Sequence, residues 1–265
     1  MTEAFVANSF VAKASSAPPP MKQPMTPGDP SSMSLPRVSL VIPTLNEAKN
    51  LSLLLPRLPA WVHEVIIVDG CSTDGTPEIA RSLLPSSRIL FEKRRGKGVA
   101  LMSGFEAATG DIIVMLDADG SMDPEEIILF VAALMSGADF VKGSRFIQGA
   151  GTMDMTWFRM LGNWALTMAF KTLYGGSFSD LCYGYIAFWK RCVPLLRAEC
   201  PGFEVETVLN IKAFQNNLKI VEVPSFEYLR IHGESNLRAF PDGWRVVKAL
   251  LREKSGASRV LSPAE

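Results

Sequence analysis

The residues best suited to chemistry lie in one short stretch. In Gly110-Asp111-Ile112-Ile113-Val114-Met115-Leu116-Asp117-Ala118-Asp119-Gly120, an apolar run of strand character ends in two carboxylates separated by one residue. Side chains alternate along an extended chain, so Asp117 and Asp119 point to the same side if strand geometry persists through them. Two such anions about 4 Å apart repel by about 4 kcal/mol at an effective dielectric of ~20. A divalent cation turns that repulsion into binding. Mg²⁺ takes one or two protein carboxylates and fills its shell with substrate phosphate oxygens and water. The pattern therefore proposes a metal-assisted site for a diphosphate-bearing substrate. An ordinary Asp-x-Asp-Gly turn is the competing reading.

The elements that must position these residues follow from periodicity and punctuation. Short β-rich runs over Val38–Pro43, Val65–Asp69, Arg88–Phe91, the stretch ending at Asp117, and Phe140–Gly143 predict five strands. Between them Asn46 is expected to cap a helix to about Leu55. Thr76 with Pro77 is expected to cap a second to about Leu84, Gly96 to Ala108 forms a third, and Asp123 opens a fourth. Strands alternating with helices argue for an α/β fold, a mostly parallel central sheet with helices on both faces. Ligands of such sheets bind beyond the carboxyl ends of the strands. Asn46, Glu47, Asp69, Asp117, Asp119 and Arg145 all follow strand ends, so the topology gathers them at one rim. The second half predicts a helix over Trp157–Tyr174, a strand over Tyr183–Trp189, a helix over Phe203–Phe214, a strand over Ile220–Pro224 and a basic amphipathic helix over Trp244–Lys254. Residues 1–36, with Pro18-Pro19-Pro20, Pro24, Pro27 and Pro30, cannot bury much apolar surface and are expected to be disordered. The expected division is thus an extension over 1–36, a domain over 37–239, and a C-terminal amphipathic helix and tail over 240–265.

Composition removes several function classes. Lys+Arg 27 balances Asp+Glu 27, so bulk charge does not point to nucleic acid. Two histidines, His63 and His232, leave no material for a His-rich metal site and make a Ser-His-Asp triad a poor fit. Cys71, Cys182, Cys192 and Cys200 show no paired metal spacing and read as reduced thiols of a cytoplasmic protein. Strand one is followed by Pro43-Thr44-Leu45-Asn46-Glu47 rather than a glycine fingerprint, and no Walker-type loop occurs. No apolar run reaches the roughly 18–20 residues of a membrane span.

The ordered set Val41-Ile42-Pro43-Thr44-Leu45-Asn46-Glu47, Val68-Asp69-Gly70-Cys71-Ser72-Thr73-Asp74-Gly75-Thr76, Asp117-Ala118-Asp119 and Gly143-Ser144-Arg145 resembles the inverting, GT-A-fold family-two glycosyltransferases. Within them it is most similar to the dolichyl- and polyprenyl-phosphate sugar synthases, over roughly residues 37–250. The resemblance implies a GT-A fold and a nucleotide-sugar donor. It implies Mg²⁺ or Mn²⁺ held by Asp117 and Asp119. Pro43, Glu47 and Asp69 would line the nucleoside pocket. Lys97, Ala118, Arg230 and Ser235 would lie along the nucleotide sugar, and Arg145 would give a bidentate phosphate contact. Glu47 as a first-turn helix acid and Asp69 as a turn residue are the alternatives from local structure. Asp74 reads as a turn residue and Asp123 as a helix cap.

On the acceptor side, the resemblance implies a phosphate contact for Arg159, set among Trp157, Phe158, Met160 and Leu161. Arg230-Ile231-His232-Gly233-Glu234-Ser235-Asn236-Leu237-Arg238 is similar to a family loop near the acceptor phosphate. Asn236 stands there where Lys is common, and Arg238 is a substitute charge. Asp180, Glu204 and Glu206 are candidate bases, which transfer to a hydroxyl requires and transfer to an anionic phosphate does not. The expected reaction is metal-dependent transfer of a hexose to a polyprenyl phosphate. Transfer to a soluble hydroxyl and non-catalytic donor binding are the alternatives. The apolar stretch from Met153 to Phe178 is either core or a surface for a polyprenyl tail or bilayer. Peripheral contact at the inner face of the membrane is the corresponding expectation.

Overall fold

Strand-forming runs of Val and Ile bounded by turn residues build the centre of the molecule. The computed structural model describes residues 35–233 and 239–260. In chain order the elements are β1 (Val38–Thr44), α1 (Ala48–Leu54), β2 (Glu64–Asp69), α2 (Thr76–Leu83), β3 (Arg88–Phe91), α3 (Lys97–Ala107), β4 (Ile112–Met115), α4 (Ile127–Met135), β5 (Phe140–Ser144), β6 (Gly151–Thr152), α5 (Trp157–Tyr174), β7 (Ile186–Trp189), α6 (Val205–Gln215), β8 (Ile220–Pro224), β9 (Phe226–Glu227) and α7 (Ala239–Val260). The extension expected over 1–36 lies, up to residue 34, outside the described residues.

Seven strands form one sheet in the order β3-β2-β1-β4-β7-β5-β8. All neighbours are parallel except β7, which runs antiparallel to both β4 and β5. Parallel strands are covered on both faces, which is why β1, β2 and β4 read as near-continuous apolar runs. Leu40, Ile42, Ile67 and Val114 pack on one face with Leu51 of α1, Ala80 of α2 and Phe130 of α4. Val41, Ile66, Val68 and Met115 pack on the other with Leu101 and Phe105 of α3 and Leu209 of α6. A smaller core joins Phe170 of α5, Ile211 of α6 and Val246 and Leu250 of α7. The expected mostly parallel sheet with helices on both faces is what forms.

The strand order reverses at β1. From β1 the chain builds outward through β2 and β3, then returns through α3 to lay β4 on the other side of β1. Open α/β sheets bind ligands in the crevice outside the strand ends at the point where the order switches. The turns after β1 and β4 lie at that point, and these carry Glu47, Asp117 and Asp119.

Local details depart from the sequence expectations. Strand β4 ends at Met115, and residues 118–119 form a turn. Asn46 does not cap α1: it sits at a φ of 58°, and its side-chain oxygen accepts from the Thr73 amide at 2.8 Å. The Ala48 amide is instead capped by Asp74 at 3.0 Å, from the loop after β2. Thr76 is not the cap of α2 either. Gly75 precedes the helix with a φ of 86°, and the Thr76 hydroxyl accepts from the Glu47 amide at 2.9 Å. Both expected caps are thus used to tie the β1 and β2 loops together. Asp123 caps the 3₁₀ turn before α4, accepting from the Glu125 amide at 3.1 Å. The strand expected over Tyr183–Trp189 begins only at Ile186.

Candidate active site

Asp117 and Asp119 leave the end of β4 toward different partners. Extended geometry stops before them, so strand alternation does not fix their relative direction. Asp117 reaches Lys97 at the start of α3, with Nζ–Oδ1 2.7 Å. Lys97 also binds Glu206 of α6 at 2.6 Å and lies 5.7 Å from the centre of the Phe203 ring. Burial opposes the charge on Lys97, but Asp117 and Glu206 outweigh it and hold the ammonium above its ordinary pKa. Burial pushes Glu206 up from the usual carboxylate range, with Lys97 working in the other direction.

Asp119 has a different set of partners. Its Oδ1 accepts from the Ser121 amide at 3.0 Å and the Ser121 hydroxyl at 2.7 Å, while Oδ2 pairs with Arg230 at 3.0 Å. The other arm of the Arg230 guanidinium binds Glu47 at 3.1 Å. The segment around Arg230 lies across the Asp119 turn: Ile231 donates its amide to the Asp119 carbonyl, and the amide and carbonyl of His232 are both held by Asn50. Gly120 permits this approach. Its φ is +77°, and a Cβ there would stand 2.5 Å from Ile231 Cδ1.

Of the residues expected along the donor, Glu47, Lys97, Asp117, Asp119 and Arg230 are brought together, with Lys97 and Arg230 as the two cationic links. Asp69 ends β2 nearby, almost fully buried, its Oδ2 accepting from the Ser72 amide at 3.0 Å. Pro43 is half-buried in β1, and Ala118 is buried against the core. The glycines of the Lys93–Gly98 turn have a packing reason: Cβ atoms at Gly96 and Gly98 would each stand 2.0 Å from a carbonyl oxygen of the 200–201 segment. The Gly98 amide is accordingly bound to the Pro201 carbonyl.

Arg145, which follows β5, is paired with Asp180 in the structure. Its fork is enclosed by Asp180 at 2.7 and 3.0 Å and by Glu227 at 2.9 and 3.0 Å, with Tyr183 beneath the guanidinium. Asp180 is fully buried. Burial would raise its pKa, but Lys142 and Arg145 together hold the carboxyl below its ordinary value. Both oxygens of this carboxylate accept from the Arg145 guanidinium. The physical reason is that Lys142, buried within β5, and Arg145 just beyond it bring two positive charges into the interior, and these require acidic partners. Lys142 inside an apolar strand was the readable signal for such a network. Glu227, on the two-residue strand β9, had none.

Glu204 is buried, one oxygen accepting from the Gly202 amide at 3.3 Å and the other without a hydrogen-bond partner among the described residues. Arg159, in the first turn of α5, pairs with Asp154 at 3.1 Å and keeps partial exposure. Ser235 and Arg238 lie outside the described residues. Among the described residues no three His, Cys, Asp or Glu side chains cluster as a ready metal cage. The Asp117/Asp119 pair still has the donor set of a hard divalent ion that completes its shell from substrate phosphates and water. Each carboxylate is already matched to a positive charge, so an ion there replaces a cation rather than creating a new balance.

The family model described as Glycosyl transferase family 2 matches residues 39–191. A low-salt glycan biosynthesis hexosyltransferase of Haloferax volcanii is 33% identical over 231 residues, 83% of this chain and 54% of its own. A dolichol-phosphate mannosyltransferase of Pyrococcus furiosus is 32% identical over 211 residues, 76% of this chain and 59% of its own. An undecaprenyl-phosphate mannosyltransferase of Micrococcus luteus is 32% identical over 213 residues, 76% of this chain and 87% of its own. The chain therefore spans only 54% and 59% of the first two relatives. Among solved structures, glucosyl-3-phosphoglycerate synthase of Mycobacterium tuberculosis in complex with Mn²⁺, UDP and glucosyl-3-phosphoglycerate has a TM-score of 0.66 at 25% identity, covering 83% of this chain and 80% of that one.

Proposed function

The chain belongs to glycosyltransferase family 2, and on that premise we propose that it transfers a hexose from a nucleotide sugar to a polyprenyl (dolichyl-type) phosphate. Transfer inverts the anomeric carbon, with Mg²⁺ or Mn²⁺ as cofactor. One observation carries this reading. Two carboxylates stand on a single turn at the switch-point crevice, each neutralised by a cation from another element.

Asp117 and Asp119 would hold the metal, and when bound it supplies positive charge against the departing nucleoside diphosphate. Lys97 and Arg230 have the chemistry of phosphate ligands once released from the carboxylates. Glu47, Pro43 and Asp69 would contact the nucleoside. Arg159, Glu204 and Arg238 are assigned to the acceptor side, and Ser235 to the donor. Arg145 and Asp180 are assigned to holding the rim rather than touching substrate.

A phosphate acceptor is anionic before it attacks, so the reaction needs no general base. The engagement of Asp180 by Arg145 supports that choice, as do relatives named for dolichol-phosphate and undecaprenyl-phosphate mannosyl transfer. One observation favours a second reading, transfer to a soluble hydroxyl. Glu206 stands beside Lys97 and Asp117, where a base would be useful, and the similar synthase holds a soluble product.

The test is to incubate the protein with a panel of radiolabelled nucleotide sugars and Mn²⁺, with and without membrane lipid extract. Label is expected in the organic phase only when lipid is present. Asp117→Asn and Asp119→Asn should each lower turnover by about 100-fold or more. Label confined to water-soluble product, lost in a Glu206→Gln variant that still binds donor, would establish the second reading instead.

A further inference from the structure

Asn50 sits inside α1 at 3% exposure, although a short amide side chain is a poor helix former. A buried amide must find partners for its donors and its acceptor. Asn50 finds all of them at the edge of the site. Its Nδ2 donates to Glu47 Oε2 and, at 3.1 Å, to the His232 carbonyl, while its Oδ1 accepts from the His232 amide at 2.9 Å. The other Glu47 oxygen is held by Arg230 at 3.1 Å. Asn50 thus fixes the carboxylate that one arm of Arg230 binds and also the backbone two residues beyond Arg230.

The segment from Tyr228 to His232 runs over the surface. Tyr228, Leu229 and Ile231 are exposed, so apolar burial contributes little and polar pins hold it. The Tyr228 amide donates to the Ser121 carbonyl at 2.8 Å, and the Ile231 amide to the Asp119 carbonyl at 3.3 Å. Between these pins Arg230 meets Asp119 Oδ2 at 3.0 Å. Asp119 Oδ1 already accepts two hydrogen bonds from Ser121. Oδ2 is therefore the oxygen with capacity for a cation, and Arg230 is the cation on it. A divalent ion arriving at Oδ2 meets a like charge at contact distance and is repelled by it.

We propose that Asn50 is a positioning residue that locks Arg230 onto Asp119, making Arg230 the resident counter-ion that a divalent metal must displace. This role rests on Asp117 and Asp119 being the metal ligands, and it belongs to a residue whose own hydrogen bonds go to neither. Arrival of the metal and release of a phosphate-binding guanidinium thereby become one event.

The experiment titrates Mn²⁺ alone into the whole chain, without nucleotide or acceptor, and reads free Mn²⁺ by electron paramagnetic resonance. Arg230→Gln, on the surface segment, is expected to bind Mn²⁺ about tenfold more tightly than the parent, since the competing charge is gone. Asn50→Ala and the volume-keeping Asn50→Leu should each tighten binding by about threefold or more. Either Asn50 change made on top of Arg230→Gln should add nothing, because Asn50 acts through Arg230. His232→Ala should match the parent, since Asn50 holds only the backbone of His232. Hydrogen exchange supplies a readout free of metal: a peptide covering residues 228–232 should exchange faster in both Asn50 variants. A purely structural role would weaken Mn²⁺ binding by the same factor with and without Arg230. That result, unchanged Mn²⁺ affinity in Arg230→Gln, or unchanged exchange in Asn50→Leu would each overturn the inference and leave the metal ligands standing. Mn²⁺ that binds the parent and every variant no better than Asp117→Ala/Asp119→Ala would overturn the metal assignment itself, and this role with it.

Discussion

Arg145 shows how one residue's role is decided by its neighbours. By type it is an ideal phosphate fork, yet here it is committed to Asp180 and Glu227. Removing one member of a buried ion pair typically costs about 3–5 kcal/mol because the partner is left charged in the interior. Arg145→Met is therefore expected to lower unfolding stability by about that amount in urea, with an unchanged m-value. A direct substrate contact would instead cost activity with stability near the parent's. The pH sign agrees. Asp180 titrates below its unfolded value, so its contribution is present at neutral pH. It is lost only as pH falls from about 3.9, the unfolded carboxyl value, through the native one. Arg230 is the counter-example: it links Glu47 and Asp119 from a surface segment, and its partners are the residues a donor complex would claim.

Among the elements, α3 positions the site through a glycine rather than through its charged end. A Cβ at Gly104 would stand 2.3 Å from Val41 and 3.0 Å from Val68, so the helix lies directly on β1 and β2. Gly104→Ala gains about 1 kcal/mol of helix propensity but overpacks the contact, at about 1–3 kcal/mol. The expected outcome is a lower Tm together with weaker donor binding, since the shift moves Lys97 at the start of the same helix. Gly162→Ala on α5, where nothing lies within 4 Å of the new Cβ, is the control and should hold or raise Tm. The same logic explains the missed caps. Asn46 and Thr76 have good capping chemistry, but the β1 and β2 loops lie side by side and each takes its hydrogen bond from the other.

At the level of the whole molecule, metal and donor are expected to bind only the folded state and so to stabilise it. With nucleotide sugar and Mn²⁺ at about a hundred times Kd, the gain is about 2.7 kcal/mol, which in a domain of this size raises Tm by about 5–10 °C. The shift should vanish in Asp117→Ala/Asp119→Ala and persist in Arg159→Ala, which is measurable by differential scanning fluorimetry. Among the described residues no helix is long and apolar enough to cross a membrane.

Sequence by itself determined the alternation of apolar strands and helices, the parallel sheet it requires, and the placing of Glu47, Asp69, Asp117, Asp119 and Arg145 at or just beyond strand ends. These follow from side-chain periodicity and from chain connectivity, which are local. It could not determine that β7 enters the sheet antiparallel between β4 and β5, because strand order is set by contacts far apart in the chain. Nor could it tell Arg230, which links the two sides of the crevice, from Arg145, which is sealed inside. Both are arginines in polar company, and only the tertiary structure decides which carboxylates come within 3 Å and whether water is left beside them.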